Sequence, residues 1–263
     1  MKISFKQIIE AVIVSKCPSC GRVVRYFGTI CPECLEEYTE EKNAGCTVCG
    51  LPAGECTCST RNLPLSKSFG KNLYSIMFYN TDHEVFNSLL FNLKRDMDRG
   101  SEKFFARELS AEILRLMSEK GLFCRDWCIT YPPRTQDARL NYGFDQAEGL
   151  CRRISKYTGL QFEKNVLVNK SKKRQKNVKN LKGRAENAKD SFSLSKKADV
   201  KGKRYIIVDD VITSGSTVGA CQELLLSAGA KEVFPVSVAR TTQRALNPEN
   251  TRSKPSPTAW FNK

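Results

Sequence analysis

Arg204-Tyr-Ile-Ile-Val-Asp-Asp-Val-Ile-Thr-Ser-Gly-Ser-Thr217 decides how this chain is read. Tyr205 to Val208 is a short apolar run bracketed by charge, the pattern of a strand buried on both faces of a parallel sheet. Asp209 and Asp210 stand where that strand is expected to end. Val211 and Ile212 then lead into a loop of small residues, Thr213, Ser214, Gly215, Ser216 and Thr217. An apolar helix is expected from Val218 to Ala228, closed by Gly229. Strand, loop and helix in this order gather free backbone N–H groups and the positive end of a helix dipole at one point, which suits a phosphate monoester. Gly215 lets the backbone approach closely, and the Ser and Thr hydroxyls add donors. At the carboxyl edge of an α/β sheet, two acids can accept hydrogen bonds from vicinal hydroxyls such as those of a ribose. A plain helix-capping turn needs one acid and does not call for the rest of the loop.

This run resembles the phosphoribosyl-pyrophosphate (PRPP) motif of type I phosphoribosyltransferases, in which an apolar strand, two acids and a Thr/Ser-Gly-Ser/Thr loop follow one another. The resemblance implies that Asp209 and Asp210 hold the ribose 2′- and 3′-hydroxyls. It implies that Thr213 to Thr217 cradle the 5′-phosphate, with Val211 and Ile212 beside them, and that Mg²⁺ arrives with PRPP. Upstream, Trp127 to Tyr131 reads as a short apolar strand followed by Pro132-Pro133-Arg134. In phosphoribosyltransferases a loop after an early core strand binds the pyrophosphate. Arg134 and Arg139 are therefore the candidate cations for a diphosphate leaving group; otherwise they are solvated arginines on a surface loop.

Eight of the twelve cysteines fall between Cys17 and Cys58, in the pairs Cys17/Cys20, Cys31/Cys34, Cys46/Cys49 and Cys56/Cys58. Three pairs are C-x-x-C knuckles and the last is C-x-C. Each knuckle sets two thiolates on one tight turn, and two such turns complete a tetrahedron around Zn²⁺. Pro18, Gly21, Pro32, Gly50 and Pro52 supply the turn chemistry. Pairing in chain order gives one site from Cys17, Cys20, Cys31 and Cys34 and a second from Cys46, Cys49, Cys56 and Cys58, although the spacing also allows a crossed arrangement. Four thiolates per ion leave no open position, so both zinc sites are expected to be structural. A disulfide framework is the competing reading. Met1 to Val14 patterns as a short amphipathic helix and not as a secretory signal, so a cytoplasmic, reducing setting is expected. Cys124, Cys128, Cys151 and Cys221 are scattered and read as small core residues, and the lone His83 as core or surface.

The formal charge of +15 falls to about +11 if both tetrathiolate sites are filled. The chain stays basic and calls for an anionic partner. With no apolar run of about eighteen residues, no membrane span is expected. The polar connection Ser59 to Lys71 suggests three regions. Residues 1–60 would hold the short helix and the double zinc-binding unit, 72–242 an α/β domain, and 243–263, with Pro248, Pro255 and Pro257, a disordered tail. Strands are expected at Leu73–Tyr79, Ser191–Leu194 and Glu232–Ala239, and helices at His83–Leu93, Ser101–Lys120 and Gln146–Tyr157, with Lys94-Arg95-Asp96 in a charged turn. This alternation predicts a mostly parallel sheet flanked by helices, of the type I phosphoribosyltransferase-like α/β class, behind a small amino-terminal zinc-ribbon domain.

Between Lys164 and Arg184 lie nine Lys and Arg and no acid, which reads as an exposed loop and short helix. Lys170, Lys172, Lys173, Arg174, Lys176 and Lys179 are the candidate nucleic-acid contacts. The block suits either a mobile lid bringing cations to the pyrophosphate or a phosphate-tracking surface for single-stranded DNA, against a plain solvated face. No aromatic residue interleaves it, so base stacking is not expected from this element.

Two further elements, Tyr142-Gly143-Phe144-Asp145-Gln146 and the spaced Arg184, Asn187 and Phe192, narrow the resemblance to the ComF-like proteins of bacterial natural transformation, over about Cys17 to Arg240. The first element departs from the family pattern at Tyr142 and Asp145, where the family carries Arg and Asn. The resemblance implies action in DNA uptake, with single-stranded DNA and a competence helicase or recombination proteins as partners. The alternative is an active phosphoribosyltransferase that moves ribose 5-phosphate from PRPP to an acceptor the sequence does not name. A third possibility is an interaction module whose pocket has decayed.

Overall fold

The computed structural model describes residues 15–24, 29–46, 73–79, 82–95, 98–135, 137, 140, 143–170 and 191–241. The expected helix over Met1–Val14, the Ser59–Lys71 connection and the tail from 243 lie outside the described residues. At the amino-terminal end, β1 (Ser15–Lys16) and β2 (Val23–Val24) form an antiparallel ribbon, and α1 (Pro32–Ala44) follows. Then come β3 (Tyr74–Phe78), α2 (Glu84–Arg95), α3 (Arg99–Lys120), β4 (Trp127–Thr130), α4 (Gln146–Thr158) and β5 (Gln161–Phe162). A hairpin of β6 (Leu167–Asn169) and β7 (Phe192–Leu194) precedes β8 (Arg204–Ile212), α5 (Ser216–Ser227) and β9 (Glu232–Arg240).

Five strands make one sheet in the order β3-β9-β8-β4-β5, with every pairing parallel. Central β8 is covered on both sides, and Tyr205, Ile206, Ile207 and Val208 are each 0% exposed. That is why its sequence is continuously apolar and does not alternate. Ile206 and Val208 join a layer with α2, α3 and α4, whereas Tyr205 and Ile207 join one with α5 and the β6–β7 hairpin. The helices begin and end where their chemistry says. Asp98 Oδ2 accepts from Ser101 N at 2.6 Å to open α3, and Gly121, at φ 62°, closes it in the left-handed region.

Two local expectations are corrected. β8 does not stop at the acids but runs on to Ile212, because β9 keeps pairing with it through Val211↔Ala239 and Ile212↔Arg240. The head of the basic segment is not loop or helix either. Leu167–Asn169 pairs antiparallel with β7, since Val166 and Leu167 find cover and are buried.

The cysteine-rich unit packs into the same core as the sheet domain. The Tyr38 ring meets Phe104 edge-on at 4.8 Å, and its hydroxyl donates to Glu108 Oε2 at 3.1 Å. Glu41 accepts from the backbone N–H groups of Val85 and Phe86 at 2.9 and 2.8 Å, so a carboxylate from α1 satisfies the start of α2. Farther along α2, Ser88 Oγ donates to the Ser19 carbonyl at 3.0 Å and Asn92 Nδ2 to the Pro18 carbonyl at 2.6 Å.

Candidate functional site

From β4 the chain moves outward to β5, and from β8 it moves the other way to β9. The crevice between the carboxyl ends of β4 and β8 is therefore the topological switch point, where open α/β sheets take their ligands. The register sets what meets there. β4 ends at Thr130, opposite Ile207, while β8 continues, so the loop after β4 runs beside the two acids. Arg134 Nη2 lies 3.7 Å from Asp210 Oδ2, and Lys94 Nζ, from the last turn of α2, lies 3.7 Å from the same oxygen.

The two carboxylates sit in different fields. Burial alone would raise the Asp210 carboxyl, but the Lys94 and Arg134 cations outweigh it and hold it below the usual range. Asp209 goes up, through burial and then through the neighbouring Asp210 charge. Asp209 Oδ1 accepts from Asp210 N at 2.9 Å, and Asp210 Oδ1 from Val211 N at 2.6 Å. The sequence suggested two carboxylates both open to hydroxyls. Instead Asp210 is only 8% exposed, and its Oδ2 faces two cations without a hydrogen bond of its own.

The loop after β8 keeps its cup open. Gly215 precedes α5 at φ 75° and has no side chain of its own to cap the helix. Thr213, Ser214 and Thr217 are exposed, and the Ser214 and Ser216 hydroxyls bond each other across the loop mouth. The first turn of α5 carries no acid, and Ser214 Oγ accepts from Ser216 N at 3.4 Å, so the positive end of the dipole meets a neutral hydroxyl and no carboxylate.

Lys94 was missed because the sequence shows only a charged turn there. Its position depends on Gln146, whose Nε2 donates to the Lys94 carbonyl at 2.6 Å. The adjacent Asp145 caps α4, accepting from Ala147 N at 3.2 Å and Glu148 N at 3.5 Å through Oδ1. Its Oδ2 accepts from Arg134 N at 3.1 Å. The Asp145-Gln146 half of the altered element thus fixes the backbones of both cations that face Asp210. Beyond Arg134 a cleft of about 1000 Å³ opens between the start of α4 and the β6–β7 hairpin, lined by residues that include Tyr131, Phe144, Glu148, Arg152, Lys164 and Asn169. Glu148 is held there by Lys164 at 2.6 Å, Arg152 at 2.8 Å and the Tyr131 hydroxyl at 3.0 Å.

The first four cysteines converge as chain-order pairing expects. The Sγ atoms of Cys17, Cys20, Cys31 and Cys34 all lie within 4.8 Å of one another. The Cys20–Cys31 separation is 3.6 Å, close to the roughly 3.8 Å edge of a tetrahedral zinc tetrathiolate. Hydrogen bonds from the Arg22 backbone and side chain lower the Cys20 thiol to about 6, whereas burial pushes Cys34 up to about 12. Packing several buried thiolates together without a cation is unfavourable, so this donor set fits Zn²⁺. Cys46 is buried, and Cys49, Cys56 and Cys58 of the second set lie outside the described residues. So do Arg139, Tyr142, Lys172, Lys173, Arg174, Lys176, Lys179, Arg184 and Asn187. Lys170 is exposed at the end of the hairpin from which residues 171–190 lead off, where its N–H donates to the Ser191 carbonyl at 2.7 Å. Cys128, Cys151 and Cys221 are buried and Cys124 half-buried, as core residues would be. No helix among the described residues is long and apolar enough to cross a membrane.

The family described as "Phosphoribosyl transferase domain" matches residues 147–262. The DNA utilization protein YhgH of Escherichia coli (strain K12) is 27% identical over 225 residues, covering 86% of this chain and 90% of that protein. The competence protein ComFC of Streptococcus pneumoniae is 26% identical over 239 residues, covering 86% of this chain and all of that protein. Among solved structures, hypoxanthine phosphoribosyltransferase from Trypanosoma cruzi matches 53% of this chain and 64% of its own at 12% identity, with a TM-score of 0.34, too loose to bear on the site. Relatives matched over most of both sequences, a match to the phosphoribosyltransferase domain and a four-cysteine cluster ahead of it support the resemblance to the ComF family.

Proposed function

We propose that the chain binds Mg²⁺–PRPP in the crevice between β4 and β8 and acts in the cytoplasm; the names of its relatives suggest a role in DNA handling. The observation that carries this is the meeting of two separately encoded segments at one switch point. These are the stretch that holds the acids of β8 and the cup from Thr213 to Thr217, and the Arg134 loop after β4. In this arrangement Asp209 and Asp210 take the ribose hydroxyls, the α5 N-terminus takes the 5′-phosphate, and Arg134 takes the diphosphate. Mg²⁺ is part of the ligand, and the two carboxylates are hard oxygen donors suited to it. The four-thiolate cluster, and a second one built with Cys46, would hold structural zinc.

Lys170, Lys172, Lys173, Arg174, Lys176 and Lys179 supply a phosphate-tracking surface for single-stranded DNA, delivered by or to a helicase or recombination protein. Calorimetric titration with Mg²⁺–PRPP tests the shared element, and absence of heat with the native chain would remove it. Binding of a labelled oligonucleotide should weaken with salt, with a log–log slope of about −0.7 per phosphate neutralised. A salt-independent affinity would count against the DNA surface.

The cleft beyond Arg134 favours one second reading, an active transferase. An acceptor seated there would bond to the anomeric carbon as the bond to pyrophosphate breaks, with positioning and charge stabilisation doing most of the catalysis. Pyrophosphate release with candidate acceptors separates this from binding alone.

A further inference from the structure

We infer that Ser88 and Asn92 make the first cysteine knuckle a positioning part of the β4–β8 crevice, so that Zn²⁺ on the four-thiol cluster and PRPP in the crevice tighten each other; this rests on the PRPP reading above. Pro18 and Ser19 lie between two of the four thiols, and their carbonyls accept hydrogen bonds from α2. Asn92 Nδ2 donates to Pro18 at 2.6 Å and Ser88 Oγ to Ser19 at 3.0 Å. Four residues apart, the two donors stand on one face of the helix. The Asn92 carbonyl accepts in turn from Asp98 N at 3.2 Å, and Asp98 opens α3. Pro18 also rests on that opening, since a Cβ on Gly100 would stand 3.1 Å from Pro18 Cβ and Cγ. Two residues after Asn92, Lys94 Nζ lies 3.7 Å from Asp210 Oδ2, and Gln146 holds the Lys94 carbonyl. The knuckle and the crevice therefore grip the same end of α2 from opposite sides.

The knuckle cannot keep its shape unaided. β1 and β2 are two residues each, and an isolated two-stranded ribbon is at best marginal in water. A tetrahedral Zn²⁺ fixes the thiolates, so metal binding and the shape of the turn are one equilibrium. A shaped turn presents two carbonyls to Asn92 and Ser88; a loose one leaves those donors, and the end of α2, without a fixed partner. PRPP seated beside Asp210 orders that same end. By linkage, the factor by which zinc raises PRPP affinity is the factor by which PRPP raises zinc affinity.

The test titrates the full-length, zinc-loaded chain with a colorimetric chelator, with and without saturating Mg²⁺–PRPP. The step missing in Cys34→Ser identifies this cluster, and PRPP should raise its zinc affinity about five- to tenfold. Asn92→Leu keeps all four thiols and the PRPP motif, so both ligands still bind, but the PRPP effect on zinc should fall below about twofold. Ser88→Ala, a milder change, should lose part of it, so the inference does not hang on one variant folding. Lys42→Met is the control. It frees the same unit from Glu108 on α3, a 2.6 Å ion pair away from the knuckle, and should keep the full effect. A zinc affinity that PRPP leaves unchanged, a full effect in Asn92→Leu, or an equal loss in Lys42→Met overturns the inference while leaving PRPP binding intact. A native chain that binds no PRPP sinks the earlier reading and this one together.

Discussion

Replacing Asp210 by Asn removes one charge and almost no volume from the middle of the site, which makes it the most informative single perturbation. Each cation stands 3.7 Å from Oδ2. At an effective dielectric constant of about 20, each such attraction is worth roughly 4–5 kcal/mol before desolvation is charged against it. The Lys94 and Arg134 side chains are 22% and 28% exposed, so once released they can turn toward water and recover part of that. Breaking a fully buried pair costs about 3–5 kcal/mol, and discounting for this exposure leaves about 2 kcal/mol. With a urea slope of about 2 kcal/mol per molar, the unfolding midpoint of Asp210→Asn should fall by about 1 M at pH 7. The sign with pH follows from the carboxyl being held below its ordinary value. The stabilisation is complete above the unfolded value of about 3.9 and is lost as the pH falls through the folded one. Native and variant curves should therefore converge in acid. Equal midpoints at pH 7, or a gap undiminished at about pH 3, would refute the reasoning that the two cations hold this carboxylate.

Three further outcomes are expected. Asp209 is raised by burial and by Asp210, so its ionised form costs stability. Asp209→Asn should melt higher than the native chain at pH 8, with the advantage shrinking as the pH drops, and a constant or reversed difference would contradict this. Gly215→Ala would meet only Ile212 Cγ2, at 3.9 Å. Its cost comes from the φ of 75° and should be about 1–2 kcal/mol by chemical denaturation, with weakened PRPP titration. Chelation that strips Zn²⁺ from the Cys17–Cys34 cluster should lower the melting temperature, and Cys34→Ser should reduce bound zinc by one equivalent in a colorimetric assay. Unchanged zinc content in that variant would exclude the cluster as a site.

Much of the fold was legible because its signals are local. The apolar stripe Phe105, Leu109, Ile113, Leu116 and Met117, the closing Gly121 and the continuous run Tyr205–Val208 each follow from periodicity or backbone freedom, and all these apolar residues are buried. The end of β8 was misjudged because hydrophobicity marks where a strand is covered, not where its hydrogen bonds stop. Ladder pairing with β9 carries it four residues past Val208. Leu167–Asn169 was hidden by the cations around it, since a three-residue strand leaves too short a pattern to read.

The sequence by itself determined the chemistry on offer: two adjacent acids, a small-residue loop ahead of a helix, paired thiols and a basic surplus, each carried by neighbours in the chain. Only the tertiary structure decided which distant groups confront them. Lys94 and Arg134 converge on Asp210, and Gln146 holds the Lys94 carbonyl, because separate segments end at the same sheet edge. Charge interactions fall with distance in space, and no local pattern records a distance that the packing of helices on a sheet sets.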